Sequence, residues 1–409
     1  MVNKKVEILA PAGNLEKLKT AIDFGADAVY LGGSKLNLRA FADNFTNDEI
    51  RQGVEYAHAR GRKVYVTLNV FPHNSDLVGL EDYLRELYEL NVDAILASDP
   101  SVIITSLETV PELEVHLSTQ ANNVNYKTAQ YWYKQGVKRI VLARELSLNE
   151  IKEIHDRVPE GCELEAFVHG SMCMSYSGRC LMSNYMTGRD ANRGACSQAC
   201  RYKYYLMEEK RPGEFFEVIE DDRGSYVMNS KDLCLIEYID KMIEAGVYSL
   251  KIEGRMKSAY YVAAVVKAYR QAVDAYLEDP ENYKFNPEWM DSLMKVSHRD
   301  YHTGFFFGKT GEQIYETASY IRTADIVGRV KEYDKDTQIA VIEQRNKFYD
   351  NDIVEILRPE GPAFNVQVTD MREMNGTKID AAPRAQMLFT VKVDKELKPN
   401  DFIVKAKEQ

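Results

Sequence analysis

Residues 6–33 read VEILAPAGNLEKLKTAIDFGADAVYLGG, which is an apolar run, an amphipathic run and a second apolar run. The two apolar runs have the composition and length of buried strands, and the middle run has the spacing of a helix. Gly25 stands where that helix must end, and glycine accepts the left-handed backbone of a helix cap. This stretch therefore predicts a strand–helix–strand unit, the building block of a parallel sheet covered by helices.

The same unit recurs along the first 255 residues. The predicted strands are residues 6–13, 28–33, 63–70, 94–99, 114–123, 139–147, 163–171 and 248–255. Helical runs separate most of them, and Gly61, Gly136 and Gly246 end three of those runs. Eight such units in about 250 residues predict a TIM-type (β/α)8 barrel. A doubly wound open sheet is the alternative, because the order of strands in a sheet cannot be deduced from the sequence.

The rest of the chain divides into a closing helix and a β-rich C-terminal region. Residues 256–280 have the pattern of one long amphipathic helix, and short apolar runs separated by turn residues follow from about residue 318. Several short strands without a helix are typical of a small β-barrel. We therefore expect residues 1–314 to form the barrel with its closing helix, and residues 315–409 to form a small β-barrel domain.

Composition indicates the class of protein. The 409-residue chain is 45% hydrophobic and 28% charged, as in an ordinary globular protein, and its net charge is −11. This charge argues against non-specific attraction to nucleic acid or anionic membranes, although a local basic patch can still bind RNA. The sequence contains neither a signal-peptide pattern nor the ~18 consecutive apolar residues of a membrane span. We expect a cytoplasmic protein that does not enter a membrane.

Four of the six cysteines lie in the long insertion between the seventh and eighth predicted strands, about residues 171–247. These four insertion cysteines, spaced C-x6-C-x15-C-x3-C, are Cys173, Cys180, Cys196 and Cys200. In a reducing compartment, clustered thiols hold metal more often than they form disulfides, and thiolates are ligands of zinc and of iron–sulfur clusters. Zinc sites usually contain paired CxxC motifs, which are missing here. The spacing therefore modestly favours an iron–sulfur cluster and leaves zinc as the alternative.

The other two cysteines are predicted to be core residues. Cys162 immediately precedes the seventh strand, and Cys234 falls in a helical run at residues 230–246, on the face that we expect to be buried. Cys234 is also a conceivable substitute for one of the metal ligands.

Polar side chains follow the predicted strands, whose carboxyl ends meet at the face where such barrels bind substrates. We expect a small anionic co-substrate there, with Arg144 or Arg255 pairing with its carboxylates. The basic, aromatic run at 200–205 is a candidate RNA contact. The candidate substrate-binding residues are Asn14, Asn69, Gln120, Arg144, Arg201 and Lys203. The catalytic residue is left open among His169, Glu253 and Arg255. For each residue the alternative is structural, because strand ends meet water and cap helices.

Four stretches carry a family resemblance: EILAPAGNLEKLKTAIDFGADAVYLGG (7–33), FVHGSMCMSYSGRCLMSNYMTGRDANRGACSQACR (167–201), MNSKDLC (228–234) and SLKIEGRMKS (249–258). They resemble the collagenase-like peptidase family U-32, most of all its tRNA-modifying branch, and the resemblance extends over the whole chain. It implies hydroxylation at carbon 5 of the wobble uridine of tRNA, which gives 5-hydroxyuridine. It also implies a [4Fe-4S] cluster on the four insertion cysteines, prephenate as co-substrate and the possibility of a paralogous partner protein.

Two other functions stay open. The family name implies a peptidase, for which Cys173 and His169 are a conceivable nucleophile and base. A thiolate bound to iron cannot act as a nucleophile, so the peptidase and the cluster compete for Cys173. The sequence contains no GxSxG or HExxH motif. The third possibility is a non-catalytic binding subunit in which the metal centre only stabilises the insertion.

Overall fold

Strands and α-helices alternate along residues 7–171. The computed structural model describes residues 6–36, 44–172, 180, 182–189, 191, 195–201, 205–206, 216–217, 231–308 and 321–407. The strands before the C-terminal region are β1 (Glu7–Pro11), β2 (Ala28–Gly32), β3 (Lys63–Leu68), β4 (Ala94–Ala97), β5 (Glu114–Leu117), β6 (Arg139–Val141), β7 (Glu163–Ser171), β8 (Tyr205–Leu206), β9 (Phe216–Glu217), β10 (Asp232–Cys234), β11 (Ser249–Ile252) and β12 (Tyr301–His302). The α-helices are α1 (Leu15–Asp23), α2 (Asn47–His58), α3 (Leu80–Glu89), α4 (Pro100–Thr109), α5 (Tyr126–Lys134), α6 (Leu148–Arg157), α7 (Met182–Thr187), α8 (Ile239–Glu244), α9 (Ala259–Glu278) and α10 (Pro287–Met294).

The strands β1 to β7 and β11 form a closed parallel barrel. Each of the strands β1 to β6 pairs in parallel with the next, and β11 pairs in parallel with both β1 and β7. An open sheet would leave two of these strands with an unpaired edge, so the doubly wound alternative is excluded. The predicted (β/α)8 barrel is confirmed, and each of its strands lies within one of the predicted runs.

The glycines predicted to end helices have left-handed backbones. The φ angle is +107° at Gly25, +65° at Gly61, +102° at Gly136 and +89° at Gly246. A residue with a side chain would cost about 1–2 kcal/mol in this conformation. At Gly246 a Cβ atom would also lie 2.1 Å from the ring of His155. The left-handed backbone at all four positions, and the close contact at Gly246, explain why glycine occupies these turns from helix to strand.

The helices begin at side-chain caps that the sequence supplies. The hydroxyl of Thr46 accepts a hydrogen bond from the amide of Glu49, whose carboxylate accepts one in return from the Thr46 amide. Ser147 and Glu150 repeat this arrangement at the start of α6. Such caps satisfy amide groups that have no partner inside the helix. None of the helices in the described part of the chain has the length and apolarity that a membrane span requires.

The strands β10 and β12 extend the sheet beyond the barrel at β7. β10 runs antiparallel to β7 and places Cys234 opposite His169, and β12 runs parallel to β10. The predicted helix at residues 230–246 is therefore wrong for its first part, because α8 begins only at Ile239. The backbone groups at the carboxyl-terminal end of β7 pair with residues 232–234. These hydrogen bonds outweigh the helical pattern of the local sequence.

The C-terminal region is an antiparallel half-barrel. Its strands are β13 (Ala324–Asp334), β14 (Ile339–Gln344), β15 (Phe348–Tyr349), β16 (Ile353–Leu357), β17 (Phe364–Gln367), β18 (Thr369–Glu373), β19 (Ala381–Ala382), β20 (Leu388–Lys392) and β21 (Phe402–Ala406). Seven of them form one sheet in the order β17-β16-β21-β13-β14-β20-β18. In residues 321–407, which the structure describes without a gap, the end strands β17 and β18 do not pair with each other. The predicted β-barrel is thus open on one side.

The half-barrel packs against α1 and α9. The ring of Phe402 lies 5.8 Å from that of Phe24 and 6.2 Å from that of Tyr260, measured between centroids. The ammonium group of Lys267 donates to the carbonyls of Arg358 at 2.6 Å and Gly361 at 2.7 Å. Burial lowers the pKa of Lys267 to about 8, so these two acceptors compensate for lost solvent. The contact joins apolar packing to a buried, hydrogen-bonded cation.

A network of buried charges fills the barrel interior. The Arg139 guanidinium, 1% exposed, lies 2.5 Å from the Glu7 carboxylate and 3.2 Å from that of Glu165. The ammonium of Lys251 lies 2.7 Å from the other Glu165 oxygen, and the hydroxyls of Tyr65 and Ser249 donate to Glu7 at 2.8 Å. Burial acts to raise the pKa of Glu165, but the charges of Lys251 and Arg139 hold it below its ordinary value. The network joins β1, β3, β6, β7 and β11.

We expect Arg139→Met to lower the free energy of unfolding by roughly 3–5 kcal/mol, because it leaves the buried Glu7 carboxylate without its cation and takes from Glu165 one of its two cations. Urea unfolding followed by tryptophan fluorescence measures this, since Trp132 and Trp289 both lie outside the half-barrel.

The matched control is Arg157→Met, which removes an exposed arginine 3.0 Å from Glu153 on the surface of α6. Such a pair contributes about 1 kcal/mol or less. Equal losses in the two variants would show that the interior network is not critical to the barrel.

Candidate functional site

The carboxyl-terminal mouth of the barrel is crossed by one arginine. Arg255 follows β11, is 6% exposed, and donates from Nη1 to the Thr67 hydroxyl at 3.2 Å. Thr67 lies on β3, which β1 and β2 separate from β11 in the ring. The side chain therefore extends from one wall of the mouth to another. Arg255 was a predicted site residue, whereas Thr67 was not.

A second arginine lies against the interior of the barrel. The Arg144 guanidinium stands 4.0 Å from the centroid of the Phe167 ring, and its Nη1 donates to the Ser171 carbonyl at 2.6 Å. The ammonium of Lys251 is 5.3 Å from the centroid of the same ring. Arg144 thus follows β6 but is anchored at β7. Its Nε is buried and has no hydrogen-bond partner among the described residues.

Uncharged polar side chains complete the mouth. Asn69 and Gln120, both predicted to bind substrate, follow β3 and β5 and are 9% and 7% exposed. The Ser118 hydroxyl donates to the Gln120 amide oxygen, and the Ser98 hydroxyl donates to the Asn69 carbonyl at 3.3 Å. Asn123 is fully buried, and its amide oxygen lacks a partner within the part of the chain that is described. The structure thus brings predicted residues of β3, β5, β6 and β11 to one face.

The remaining predicted residues have other positions. Asn14 caps α1, where its amide oxygen accepts a hydrogen bond from the Lys17 amide at 3.0 Å. The Glu253 carboxylate accepts from the Ser171 amide at 3.3 Å. The side chain of Arg201 and the whole of Lys203 lie outside the described residues. The observed role of Asn14 is structural, and that of Glu253 is to hold the end of β7.

His169 is enclosed by tyrosines. It is 1% exposed, and its ring centroid lies 5.9 Å from that of Tyr261, 5.5 Å from that of Tyr269 and 5.3 Å from that of Tyr301. Burial, together with the nearby charges of Lys257 and His298, lowers the pKa of His169 to about 3. The imidazole is therefore neutral at physiological pH. A ring so enclosed is poorly placed to exchange protons with a substrate at the mouth.

Three of the four insertion cysteines are described, and Cys173 lies outside the described residues. Cys180, Cys196 and Cys200 are half-buried, and no disulfide joins them to one another or to the other described cysteines. The Gln198 amide donates to the Cys196 sulfur at 3.4 Å. A backbone donor of this kind stabilises a thiolate and is common around cluster ligands. The three described thiols, with this backbone donor, fit a thiolate-bound metal centre.

The Ser183 side chain joins the two halves of the cysteine region. Its hydroxyl accepts from the Ser197 amide at 2.9 Å and donates to the Arg189 carbonyl at 2.7 Å. Residues 182–189, which follow Cys180, are thereby held against residues 195–201, which contain Cys196 and Cys200. Within the described ranges alone, no three His, Cys, Asp or Glu side chains come together as a metal site. The four-thiolate site stays a prediction, since its first member is not described.

Cys162 and Cys234 are core thiols, as predicted. Burial raises the pKa of Cys162 to about 11 and that of Cys234 to about 12. The sulfur of Cys234 lies 4.0 Å from the Tyr269 hydroxyl oxygen. Burial thus disfavours the thiolate form of both residues in the absence of metal, and the possibility that Cys234 substitutes for a metal ligand stays a prediction.

Comparison with known proteins identifies relatives of the whole chain. Residues 13–316 match peptidase family U32, and residues 322–403 match the peptidase family U32 C-terminal domain. The chain is 47% identical over 409 residues to "tRNA hydroxylation protein P1" of Bacillus subtilis (strain 168), with 100% of this chain and 96% of that protein covered. It is 35% identical over 438 residues to "tRNA hydroxylation protein P" of Escherichia coli (strain K12), with coverage of 97% and 95%. It is 31% identical over 408 residues to "Collagenase" of Porphyromonas gingivalis (strain ATCC BAA-308 / W83), with coverage of 97% and 96%.

We expect iodoacetamide at pH 8 to modify Cys180, Cys196 and Cys200 in metal-free folded protein and to spare Cys162 and Cys234. A thiol whose pKa is raised to about 11 or 12 is almost wholly protonated at pH 8, and burial blocks the reagent as well. Mass spectrometry of tryptic peptides gives the modified fraction of each cysteine.

Labelling in urea provides the control, since all of these cysteines should react once the chain is unfolded. Labelling of Cys234 at the rate of Cys196 in the folded protein would contradict the core assignment.

Proposed function

This chain belongs to peptidase family U32, and we propose that it hydroxylates tRNA, forming 5-hydroxyuridine at the wobble uridine. The observation that carries the proposal is the full-length similarity to two tRNA hydroxylation proteins, which includes the C-terminal half-barrel. Similarity over both regions supports a common substrate. A tRNA substrate also supports the expected location in the cytoplasm. A paralogous partner protein stays a prediction of the family resemblance.

We propose that the four insertion cysteines hold a [4Fe-4S] cluster, which supplies one-electron redox chemistry when bound. Two hydrogen bonds hold the end of β7, from which the cysteine-containing segment leaves the barrel. Arg144 binds the Ser171 carbonyl, and Glu253 accepts from the Ser171 amide. Ser171 is the last residue of β7 and precedes Cys173 by two positions. These two contacts support a position of the cysteines beside the mouth.

We propose prephenate as the co-substrate, bound at the mouth of the barrel. Prephenate carries two carboxylates, and the arginine guanidinium binds such groups through two parallel charge-assisted hydrogen bonds. The buried positions of Arg255 and of the neighbouring amide side chains favour a small ligand over a polymer, because little of the surface there is open to solvent. The tRNA would then approach from outside, past the cysteine segment.

The printed name of one relative, collagenase, keeps peptidase activity as a second candidate. Its conceivable base is His169, whose ring is buried and whose pKa is lowered to about 3. A general base accepts a proton and works best when its pKa lies near the working pH and its ring can reach the reacting groups. A pKa of about 3 makes His169 a weak base, and its burial among three tyrosines separates it from solvent. Both properties count against His169 as the base of a peptidase.

Cys196→Ser should abolish 5-hydroxyuridine formation because it removes one cluster ligand. A strain lacking the gene is complemented with wild type or variant, and its tRNA nucleosides are analysed by mass spectrometry. Anaerobically purified wild-type protein should contain about four irons per chain, and the variant far fewer.

Cys162→Ser is the matched control, since it changes a buried thiol outside the insertion and should retain both iron and 5-hydroxyuridine. Unchanged tRNA in the deletion strain would refute the proposed function. One zinc and no iron would refute the cluster.

Purified wild-type protein should not cleave gelatin, whether loaded with iron or stripped of it. A fluorescent gelatin assay measures this, with His169→Ala as the comparison. Cleavage by the wild type that disappears in the variant would restore the peptidase hypothesis.

A further inference from the structure

A cleft lies between α10 and the half-barrel. Its volume is about 690 Å³, and ligand sites in proteins commonly measure about 300–1,000 Å³. One wall is Lys295, the residue that follows α10, and the other is the face of the half-barrel sheet formed by β13, β16, β17 and β21. This interdomain cleft is separate from the residues of the barrel mouth and from the four insertion cysteines.

The floor of the interdomain cleft is apolar. Val404 and Ala324 are 2% and 4% exposed, whereas Ile353 beside them is 68% exposed. Asn365, which pairs with Glu355 across β16 and β17, adds an amide group at the side of this floor. An exposed isoleucine next to a buried apolar floor is a surface on which a flat apolar group can pack.

The rim of the interdomain cleft is basic. The Lys295 ammonium lies 2.6 Å from the Glu355 carboxylate, and Lys407 is exposed and forms no ion pair within the part of the chain that is described. The Arg322 guanidinium lies 2.6 Å from the carboxylate of Asp325. Even with Asp325 counted, the cations at the cleft outnumber the carboxylates, in a chain whose net charge is −11. A protein that repels a polyanion overall needs such local positive charge to bind one.

The interdomain cleft is connected to the mouth end of the barrel. Lys257, in the loop that follows β11, donates from its ammonium group to the Ser297 carbonyl at 3.0 Å. Ser297 follows Lys295 by two positions, and the next residue, His298, accepts from the Ile321 amide at 2.7 Å. Both walls of the cleft are therefore tied to the loop at the carboxyl end of β11. An RNA with one nucleotide at the mouth would extend past this position.

A second cleft, of about 380 Å³, has the opposite character. It lies beside the loop between α2 and β3, at the amino-terminal end of the barrel strands. Each of its four cations is already paired with a carboxylate, as Lys398 is with Glu360 at 3.3 Å. Paired charges of this kind offer little to a polyanion, so the second cleft supplies a control for the first.

We propose that the interdomain cleft binds one nucleotide of the tRNA, away from the base that is modified. Arg322 and Lys407 contact its phosphate, and the base packs on Ile353 with the Asn365 amide at its edge. The ligand chemistry is a phosphate joined to a flat ring, which an unpaired nucleotide supplies. The assignment rests on the proposed function for the choice of tRNA, and it gives the half-barrel a part in binding the substrate.

The test is fluorescence anisotropy of a labelled tRNA transcript with uridine at the wobble position, titrated with the purified full-length protein at several salt concentrations. The double variant Arg322→Gln/Lys407→Gln should weaken binding roughly 10-fold and lower the slope of log K against log salt by about 1 to 2, because each lost phosphate contact releases fewer counterions. Ile353→Ser should weaken binding and leave the slope unchanged, because it removes an apolar contact.

Lys398→Gln is the matched control, since it removes an exposed lysine of the half-barrel at the second cleft and should change neither affinity nor slope. Thermal unfolding shows which variants are folded, and Ile353→Ser decides the matter if the double variant is not. Binding of tRNA by the folded variants at wild-type affinity, or no binding by the wild type, would overturn the assignment.

Two further measurements test other occupants of the interdomain cleft. Uridine monophosphate that binds the wild type but not the double variant, with tRNA binding unchanged, would assign the cleft to a free nucleotide. A wild-type dimer that Ile353→Ser converts to a monomer in size-exclusion chromatography, with tRNA binding unchanged, would assign it to a second copy of the chain. Either result would refute the RNA contact.

The binding assay and the nucleoside analysis fail separately. Equal tRNA binding by the double variant and the wild type, with 5-hydroxyuridine lost in the deletion strain, would remove this inference alone. Weakened binding in the double variant, with 5-hydroxyuridine retained in the deletion strain, would leave the RNA contact standing and remove the hydroxylation proposal.

Discussion

The pairing of Glu165 with both Arg139 and Lys251 constrains the whole barrel. Each of these groups is almost fully excluded from water, and an unpaired charge in such an interior is strongly unfavourable. The pairing is satisfied only when β6, β7 and β11 have the observed register, because Arg139, Glu165 and Lys251 lie one on each strand. Arg144, Ser171 and Arg255, which line the mouth, are at the carboxyl ends of the same three strands. The interior charges thus fix the positions from which the site is built.

Close packing around the first loop adds a second constraint on Arg255. A Cβ atom at Gly13 would lie 2.1 Å from the Arg255 carbonyl oxygen, so only glycine permits β1 and β11 to end as they do. The Lys17 ammonium donates to the same carbonyl at 3.3 Å. The backbone of Arg255 is therefore held on the outside of the barrel, while its side chain points across the mouth to Thr67. Asn14, predicted to bind substrate, contributes indirectly by starting the helix that carries Lys17.

The barrel could be predicted from the sequence because its signals are local. They are eight apolar runs, the amphipathic runs that separate them and the glycines that end the helices. The pairing of the interior charges was not predicted from the sequence. A signal for it existed, because Glu165 and Lys251 are residues of opposite charge within strands that are otherwise apolar. The strand at Cys234 was missed because its pairing partner, the end of β7, is distant in sequence. Residue type and strand position placed Arg255 at the site, but its contact with Thr67 depends on barrel closure, which no local pattern encodes. The burial of His169 depends on Tyr261, Tyr269 and Tyr301, which come from α9 and β12.

β7 is the element that joins the two parts of the proposed site. It pairs with β6 and β11 in the barrel and with β10 at its carboxyl-terminal end, and it leads directly into the cysteine segment. Ser171 is held there by Arg144 on its carbonyl and by Glu253 on its amide. An ion or cluster bound by the cysteines would restrict the chain that begins two residues later, next to the peptide groups that hold Arg144. Order in the cysteine segment and the position of the Arg144 guanidinium would then be coupled through Ser171, which would give the proposed metal centre a role at the barrel mouth beyond holding the insertion together.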